Sequence, residues 1–224
     1  MIFKAIVFDM DGVLVDTEVL WRQVREEFAA SIGQVWGAVD QESTMGCSTS
    51  TWSRIMVERM ALDMTEAEIA REIKGRLIRK YDAHLPVRPG AIEAVKLAAT
   101  RYKVALASGS PNELIEWIMQ RTQLDKVFEA TMFGDDVTHG KPHPEIYLSV
   151  LKKIGVAPDR ALGIEDSGNG IRSLEAAGMA VIAAPGEEFP LTADILAKAD
   201  AVIHSMEDFS LELVDQVGAR RAAR

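Results

Sequence analysis

Three aspartates, Asp9, Asp11 and Asp16, crowd into eight positions directly after the apolar run Ile6-Val7-Phe8. Like charges held close raise one another's pKa and repel, so a fold selected only for stability would not favour this arrangement. A polar turn closing a core strand would need no more than a single Asp-Gly pair. Other apolar runs end in a similar way. Ser108-Gly109-Ser110-Pro111-Asn112 follows one, Glu165-Asp166-Ser167-Gly168-Asn169 follows another, and "HGKPHPEIY" sets Lys141 just ahead of a helical pattern. Brought to one rim, these would unite four acidic side chains, a hydroxyl with free backbone amides, and one lysine. The crowded charge makes sense if that lysine and a divalent cation compensate it.

That set has a chemistry. Oxygen ligands from Asp9 and Asp166, with Glu165 near, suit Mg²⁺, which keeps several waters and is commonly held by one or two carboxylates plus a substrate phosphate. Asp9, ionised beside the cation and Lys141, can attack phosphorus and form an aspartyl-phosphate. Asp11 can protonate the leaving oxygen and then deprotonate the attacking water, help typically worth ~10² to 10⁴ in rate. Ser108, Gly109 and Asn112 stand at a helix start, where free N–H groups and the helix dipole favour a phosphoryl group. Lys141 would screen the charge of that group and of the nucleophile.

The elements that must position these residues alternate along the chain. "FKAIVFD", "YKVALASGS", "EATMFGDD", "RALGIEDSG", "MAVIAAPG" and "ADAVIHS" read as strands, and residues 90–100, 112–121, 143–154 and 169–177 as helices. This alternation predicts an α/β fold with a parallel sheet and crossover helices. In such sheets the active crevice lies beyond the carboxyl ends of the strands, which is where the acidic and hydroxyl residues fall. Residues 17–85 break the rhythm with helical periodicity alone ("EVLWRQVREEFAASIG", "TWSRIMVERMA", "TEAEIAREIKGRLIRKYDAHL"), so they read as an all-helical insertion. The expected domains are a parallel-sheet core of residues 1–16 and 86–224 and an all-helical insertion of residues 17–85. Asp16 and Thr17 are expected as hinge residues, and the basic tail "ARRAAR" as a frayed terminus.

Composition narrows the partners. The 224 residues, 48% of them hydrophobic, can build a core, and a formal net charge of -9 argues against a general nucleic-acid surface. The lone Cys47 precludes an intrachain disulfide and fits a reducing compartment. No stretch approaches a membrane span and the N-terminal apolar run is too short for a signal segment, so a cytoplasmic monomer is expected, with no nucleic-acid or membrane partner. His84, His139, His143 and His204 lack a zinc-site spacing, which leaves the carboxylates as the expected metal site. Cys47 has no nearby histidine to activate it and reads as an incidental loop residue. Trp21, Trp36, Trp52 and Trp117 read as packing residues, with Trp52 placed to reach a substrate.

Four segments, "DMDGVLVDTE", "ASGSPN", "GKPHPEIY" and "GIEDSGNGIRSLEAAGM", together resemble the four motifs of the haloacid dehalogenase superfamily, in the branch of small sugar-phosphate phosphatases and beta-phosphoglucomutase. The likeness covers nearly the whole chain, in order. It implies a mobile helical cap, residues 17–85, over a Rossmann-like core, Asp9 as nucleophile, Asp11 as acid-base, and Ser108 and Lys141 as phosphate contacts. For Mg²⁺ it implies Asp9, the Asp11 carbonyl and Asp166, with Glu165 contributing. The superfamily's dehalogenases lack the second aspartate of the first motif, so Asp11 argues against dehalogenation. A small phosphorylated metabolite, such as a sugar or polyol phosphate, is the expected substrate. The mutases carry a cap histidine a few residues beyond "DT", where this chain reads "EVLWRQV", and this departure favours hydrolysis. A phospho-accepting receiver module uses similar groups but is about half this length and has no helical insertion.

Overall fold

A computed structural model describes residues 2–186 and 190–223. Its elements run β1 (Ala5–Phe8), α1 (Glu18–Ser31), α2 (Ala38–Thr44), α3 (Thr49–Arg59), α4 (Glu66–Ala83), α5 (Ala91–Ala99), β2 (Lys103–Ser108), α6 (Asn112–Thr122), β3 (Ala130–Phe133), α7 (Glu145–Ile154), β4 (Ala161–Glu165), α8 (Gly168–Ala176), β5 (Ala180–Ala183), α9 (Ala193–Leu196), β6 (Ala201–Val202) and α10 (Leu211–Ala222). Six strands form one sheet in the order β3-β2-β1-β4-β5-β6, and every pair is parallel. The fold is therefore α/β, as the alternation predicted.

Strand periodicity sorts the side chains into two layers. Ile6 and Phe8 of β1 face the same way as Leu106 and Ile164 and pack with α5, α6 and α10. Ala5 and Val7 face the other side with Ala105 and Ala107, under Tyr147 and Leu151 of α7 and Leu174 of α8. With both faces covered, the central strands are apolar throughout, as buried parallel strands must be. Order reverses at β1, whose neighbours are β2 and β4. The crevice at such a switch point lies beyond Phe8, Ser108 and Glu165.

Helices α1 to α4 fill the chain between β1 and α5, and their apolar faces, with Trp21, Trp52, Ile69 and Tyr81, join the core on the β1 side. Thr65 starts α4 with a reciprocal cap in which its hydroxyl accepts from Glu68 N–H and Glu68 accepts from Thr65 N–H. The two chain crossings into this region are tied together. Asp16 N–H donates to the Pro86 carbonyl at 2.7 Å and Arg88 N–H to the Leu14 carbonyl at 3.0 Å.

The elements differ from the sequence reading in several places, and helices α9 and α10 were not expected at all. Helix α2 was not expected; it has seven residues, of which Gln41 and Thr44 are buried, too short to show a helical period. The sixth strand shrinks to Ala201–Val202. The tail expected to fray is helical to Ala222, because Val214 and Val217 bury against the core and Arg221 pairs with Asp200 at 3.2 Å. Among the described residues no helix is long and apolar enough to cross a membrane.

Candidate active site

Asp9 leaves β1 one residue past its last paired position, and its N–H donates to the Ile164 carbonyl at 3.0 Å, which pins it beside the end of β4. Lys141, carried by the loop before α7, reaches across to donate to Asp9 Oδ1 at 2.8 Å and to Glu165 Oε1 at 2.6 Å. All three side chains are buried. Glu165 is saturated. Its Oε1 also accepts from the Tyr147 hydroxyl at 2.8 Å, and its Oε2 accepts from the N–H and the hydroxyl of Ser167, each at 3.0 Å. A methyl group at Gly170 would fall inside the Glu165 carboxylate, so that position must be glycine for Glu165 to sit there.

Charge in this pocket is unbalanced. Burial pushes Glu165 upward, but the Lys141 charge and the hydrogen bonds from Lys141, Ser167 and Tyr147 outweigh it and hold the carboxyl below its ordinary value. For Lys141, burial disfavours the ammonium, yet the charges of Asp9 and Glu165 prevail and raise it well above the usual lysine range. Asp9 stays well above the carboxylate range because burial, with Glu165 and Asp11 adding, exceeds what one lysine supplies. Asp166 is raised in the same direction by burial and then by Glu165, Asp9 and Glu18. One oxygen each of Asp9, Glu165 and Asp166 lies within 4.8 Å of the others.

These residues fit a hard divalent cation. The donors are carboxylate oxygens, burial and neighbouring carboxylates leave Asp9 and Asp166 short of positive charge, and Gly12 at φ +69° keeps the space beside Asp166 clear, where a methyl would come within 1.8 Å of Asp166 Oδ2.

Asp11 is held from both sides. Its Oδ2 accepts from the hydroxyls of Ser108 at 3.2 Å and Ser110 at 2.7 Å, and its Oδ1 accepts from the Thr17 hydroxyl at 2.5 Å and the Trp21 indole N–H at 3.3 Å. The acid-base candidate thus touches both the β2 loop and the start of α1. Ser108 also accepts from Ser110 N–H at 3.1 Å, and Gly109 lies under the carbonyls of Gly46 and Cys47, which a methyl there would meet at 2.9 and 2.8 Å. Asn112 opens α6, its N–H 3.4 Å from Asp135 Oδ2, and does not line the cavity between Asp9 and Asp166.

That cavity holds about 20 Å³, close to the room of one water, and Glu18, Trp21, Arg25, Gly46, Cys47 and Trp52 form its wall opposite the strand ends. Glu18 and Arg25 were not singled out from sequence, nor was Gln41 behind them. Arg25 donates to Gln41 Oε1 at 3.0 Å, Gln41 donates to Glu18 Oε2 at 3.2 Å, and the guanidinium lies 4.7 Å from the Trp21 ring centre. Arg25 Nε and Trp52 Nε1 are buried without a hydrogen-bond partner among the described residues. The signal was present in α1: Glu18 and Arg25 fall on the same helical face as Trp21, where an amphipathic helix should be apolar. Burial raises the Cys47 thiol above its ordinary value, which disfavours the thiolate a nucleophile would need.

The profile of the haloacid dehalogenase-like hydrolase family matches residues 3–178. The chain belongs to that family. It is 32% identical over 177 residues to a phosphorylated carbohydrates phosphatase of Thermotoga maritima, covering 79% of this chain and 82% of the relative. It is 31% identical over 187 residues to hexitol phosphatase B of Escherichia coli, covering 82% of this chain and 84% of that one. In fold it is similar to a beta-phosphoglucomutase from Clostridium difficile, with a TM-score of 0.86 over 99% of this chain and 100% of that chain at 22% identity.

Proposed function

We propose that the protein is a Mg²⁺-dependent phosphatase of small sugar or polyol phosphates that works through a phosphoryl group carried on Asp9. The observation that carries this reading is the position of Lys141 between Asp9 and Glu165 at the switch point of the sheet. Lys141 aims Asp9 and favours its ionised form, and a divalent cation on the same carboxylates would supply the charge that burial still leaves uncompensated. The names of the two phosphatase relatives support the substrate class.

In the proposed sequence, an Asp9 oxygen attacks phosphorus while Asp11 gives its proton to the departing sugar oxygen. Asp11, now ionised, takes a proton from water, whose oxygen attacks the phosphorus of the aspartyl-phosphate, and the Asp9 carboxylate is restored as inorganic phosphate leaves. Lys141, Ser108 and the amides after it, with Gly109, bind the phosphoryl oxygens, while Asn112, its N–H facing Asp135 outside the cavity, is left to open α6 behind them. Asp9, the Asp11 carbonyl and Asp166 would hold Mg²⁺, with Glu165 contributing charge and gripping Lys141. Bound there, the ion would neutralise the phosphoryl oxygens and the nucleophile.

Residues 1–16 and 86–224 act as the core and residues 17–85 as a cap that opens to admit substrate, since the closed cavity of about 20 Å³ has no room for a sugar. The chain works as a cytoplasmic monomer without nucleic-acid or membrane partners. The mutase alternative is disfavoured at Trp21, whose indole N–H faces Asp11 and cannot accept a proton in return.

Phosphate release over a panel of sugar and polyol phosphates, with Mg²⁺ and with EDTA, tests the proposal. Turnover should require the metal, and Asp9→Asn should lower kcat by at least about 10³-fold while the fold persists. Activity of that variant within tenfold of the parent would remove Asp9 as nucleophile.

A further inference from the structure

The loop that delivers Lys141 and the first residue of α7 carry three further ligating side chains that the proposed chemistry does not use. Sequence spacing set the histidines aside as metal ligands, yet the fold closes His139 and His143 onto Glu145. One ring nitrogen of each and one Glu145 oxygen lie within 4.8 Å of one another. His139 Nδ1 is 3.0 Å and His143 Nδ1 3.9 Å from Glu145 Oε2, and the two rings are 4.7 Å apart between centres. His143 Nδ1 accepts from the Glu145 N–H at 3.3 Å, so the other ring nitrogen of His143 is the one left to ligate, and the 3.0 Å between His139 Nδ1 and Glu145 Oε2 is close to the roughly 3.3 Å that separates neighbouring ligand atoms in a tetrahedral site.

The ligands are held from behind. The N–H groups of Thr138 and His139 donate to Glu145 Oε1 and Oε2 at 2.9 and 3.0 Å, which fixes the carboxylate. Ser173 anchors the loop by donating its hydroxyl to the His143 carbonyl at 2.8 Å. Such outer contacts are what orient ligands in metal sites. Both rings are exposed, so an ion has an open path and a free position for water.

We propose that His139, His143 and Glu145 form a binding site for a transition-metal ion of the Zn²⁺ class, separate from the acidic pocket at Asp9 and Asp166, which clasps the two ends of the loop bearing Lys141. Two imidazoles and one carboxylate suit Zn²⁺, Co²⁺ or Ni²⁺, whereas Mg²⁺ prefers oxygen donors. The acidic pocket, made of carboxylates alone, has the opposite preference. The clasp runs from residue 139 to residue 145, and Lys141 lies between its ends.

The test uses the full chain, freed of metal with a chelator and then kept in saturating Mg²⁺. Titration with Zn²⁺ should show one bound equivalent and a raised Tm. His139→Gln and His143→Gln should each weaken binding by at least the ~10- to 100-fold that loss of an outer partner costs, because a ligand itself is removed. Asp166→Asn should leave it unchanged. Co²⁺ in place of Zn²⁺ should give the intense visible bands of a four-coordinate centre, absent from both histidine variants. No stoichiometric Zn²⁺ binding in Mg²⁺ overturns the proposal, as does binding that survives both histidine changes or disappears with Asp166→Asn. The hydrolysis rate with Mg²⁺ alone should be the same in His139→Gln and in the parent, so this result stands or falls apart from the phosphatase assignment.

Discussion

Trp21 donates its indole N–H to Asp11 Oδ1 across 3.3 Å, so a side chain of the helical insertion touches the acid-base candidate of the core. With the Thr17 hydroxyl on the same oxygen and the hydroxyls of Ser108 and Ser110 on the other, Asp11 has a full ring of donors only when α1 is seated. Under the proposed closure of the insertion, seating α1 and orienting Asp11 are one event. Trp21→Phe keeps the packing against Trp52 and deletes the N–H. A hydrogen bond to a charged group contributes roughly 1.5–3 kcal/mol, so kcat should fall by about tenfold or more with KM little changed. Steady-state kinetics on one good substrate decide this, and an unchanged kcat would show that Asp11 is oriented from the core alone.

Lys141 is buried between two carboxylates, and that makes it a stability residue as well as the proposed phosphate contact. Lys141→Met leaves Asp9 and Glu165 in the core with no counter-charge, a change that typically costs 3–5 kcal/mol. Urea unfolding without metal should show a loss of about that size. It should shrink on acidification, as the two carboxyls take up protons, and on adding Mg²⁺, which supplies the missing charge. A variant as stable as the parent in EDTA at neutral pH would mean that the carboxylates were not relying on this lysine.

Glu18 gives a pH signature. Burial, then the nearby Asp11 charge, pushes its carboxyl up to about 7, although Arg25 and the Gln41 hydrogen bond act the other way. The folded value lies above the unfolded one of ~4.3, so the folded state holds this proton more tightly. Its stabilising contribution is complete below the unfolded value and is lost as the pH rises through about 7. Glu18→Gln cannot titrate. Its stability relative to the parent should rise between pH 5 and pH 8 by on the order of 2–3 kcal/mol, whatever its sign at either pH. Parallel urea curves for both proteins at the two pH values measure that difference, and equal offsets would mean that Glu18 is solvated in the folded state.

How far these relationships could be read in advance depends on what makes them. Asp9, Asp11, Ser108, Glu165 and Asp166 were legible because parallel strands must point their carboxyl ends to one side, so any polar cluster ending a buried run is delivered to the same rim. Lys141 was legible from its company of prolines and the helix behind it. The six strands and the helices α5 to α8 of the core follow from apolar runs and 3.6-residue periods, which are local properties, whereas α9 and α10 were not read. The insertion yielded α1, α3 and α4 by the same means but not α2, nor its function, because periodicity says which face is buried and not what it is buried against. Glu18 and Arg25 meet Gln41 and Trp52 only through the packing of α1, α2 and α3. His139, His143 and Glu145 were set aside although three residues separate the two histidines, a spacing metal sites use, because sequence does not show that backbone amides on the Glu145 carboxylate draw the ends of the segment together.

The wall facing the phosphoryl site is where substrate choice should reside. Arg25 keeps its Nε without a partner and Trp52 its Nε1, both buried on the cavity side of the insertion, while Glu18 supplies an acceptor linked to Arg25 through Gln41. A leaving group rich in hydroxyls satisfies all three; an apolar one satisfies none. Glu18 also offsets the Arg25 charge, which makes a neutral polyol a better match than a second anionic group. Arg25→Met should therefore lower kcat/KM for hexitol or sugar phosphates by about 10- to 100-fold, the worth of one or two hydrogen bonds to a charged group, and change that for a small aryl phosphate by less than about threefold. Lys141→Ala should depress both alike, since every substrate presents the same phosphoryl group. The comparison is a panel of kcat/KM values for the two variants. If Arg25→Met loses activity uniformly across the panel, the cluster of Glu18, Arg25 and Gln41 serves closure or folding, and selection of the leaving group lies elsewhere on the insertion.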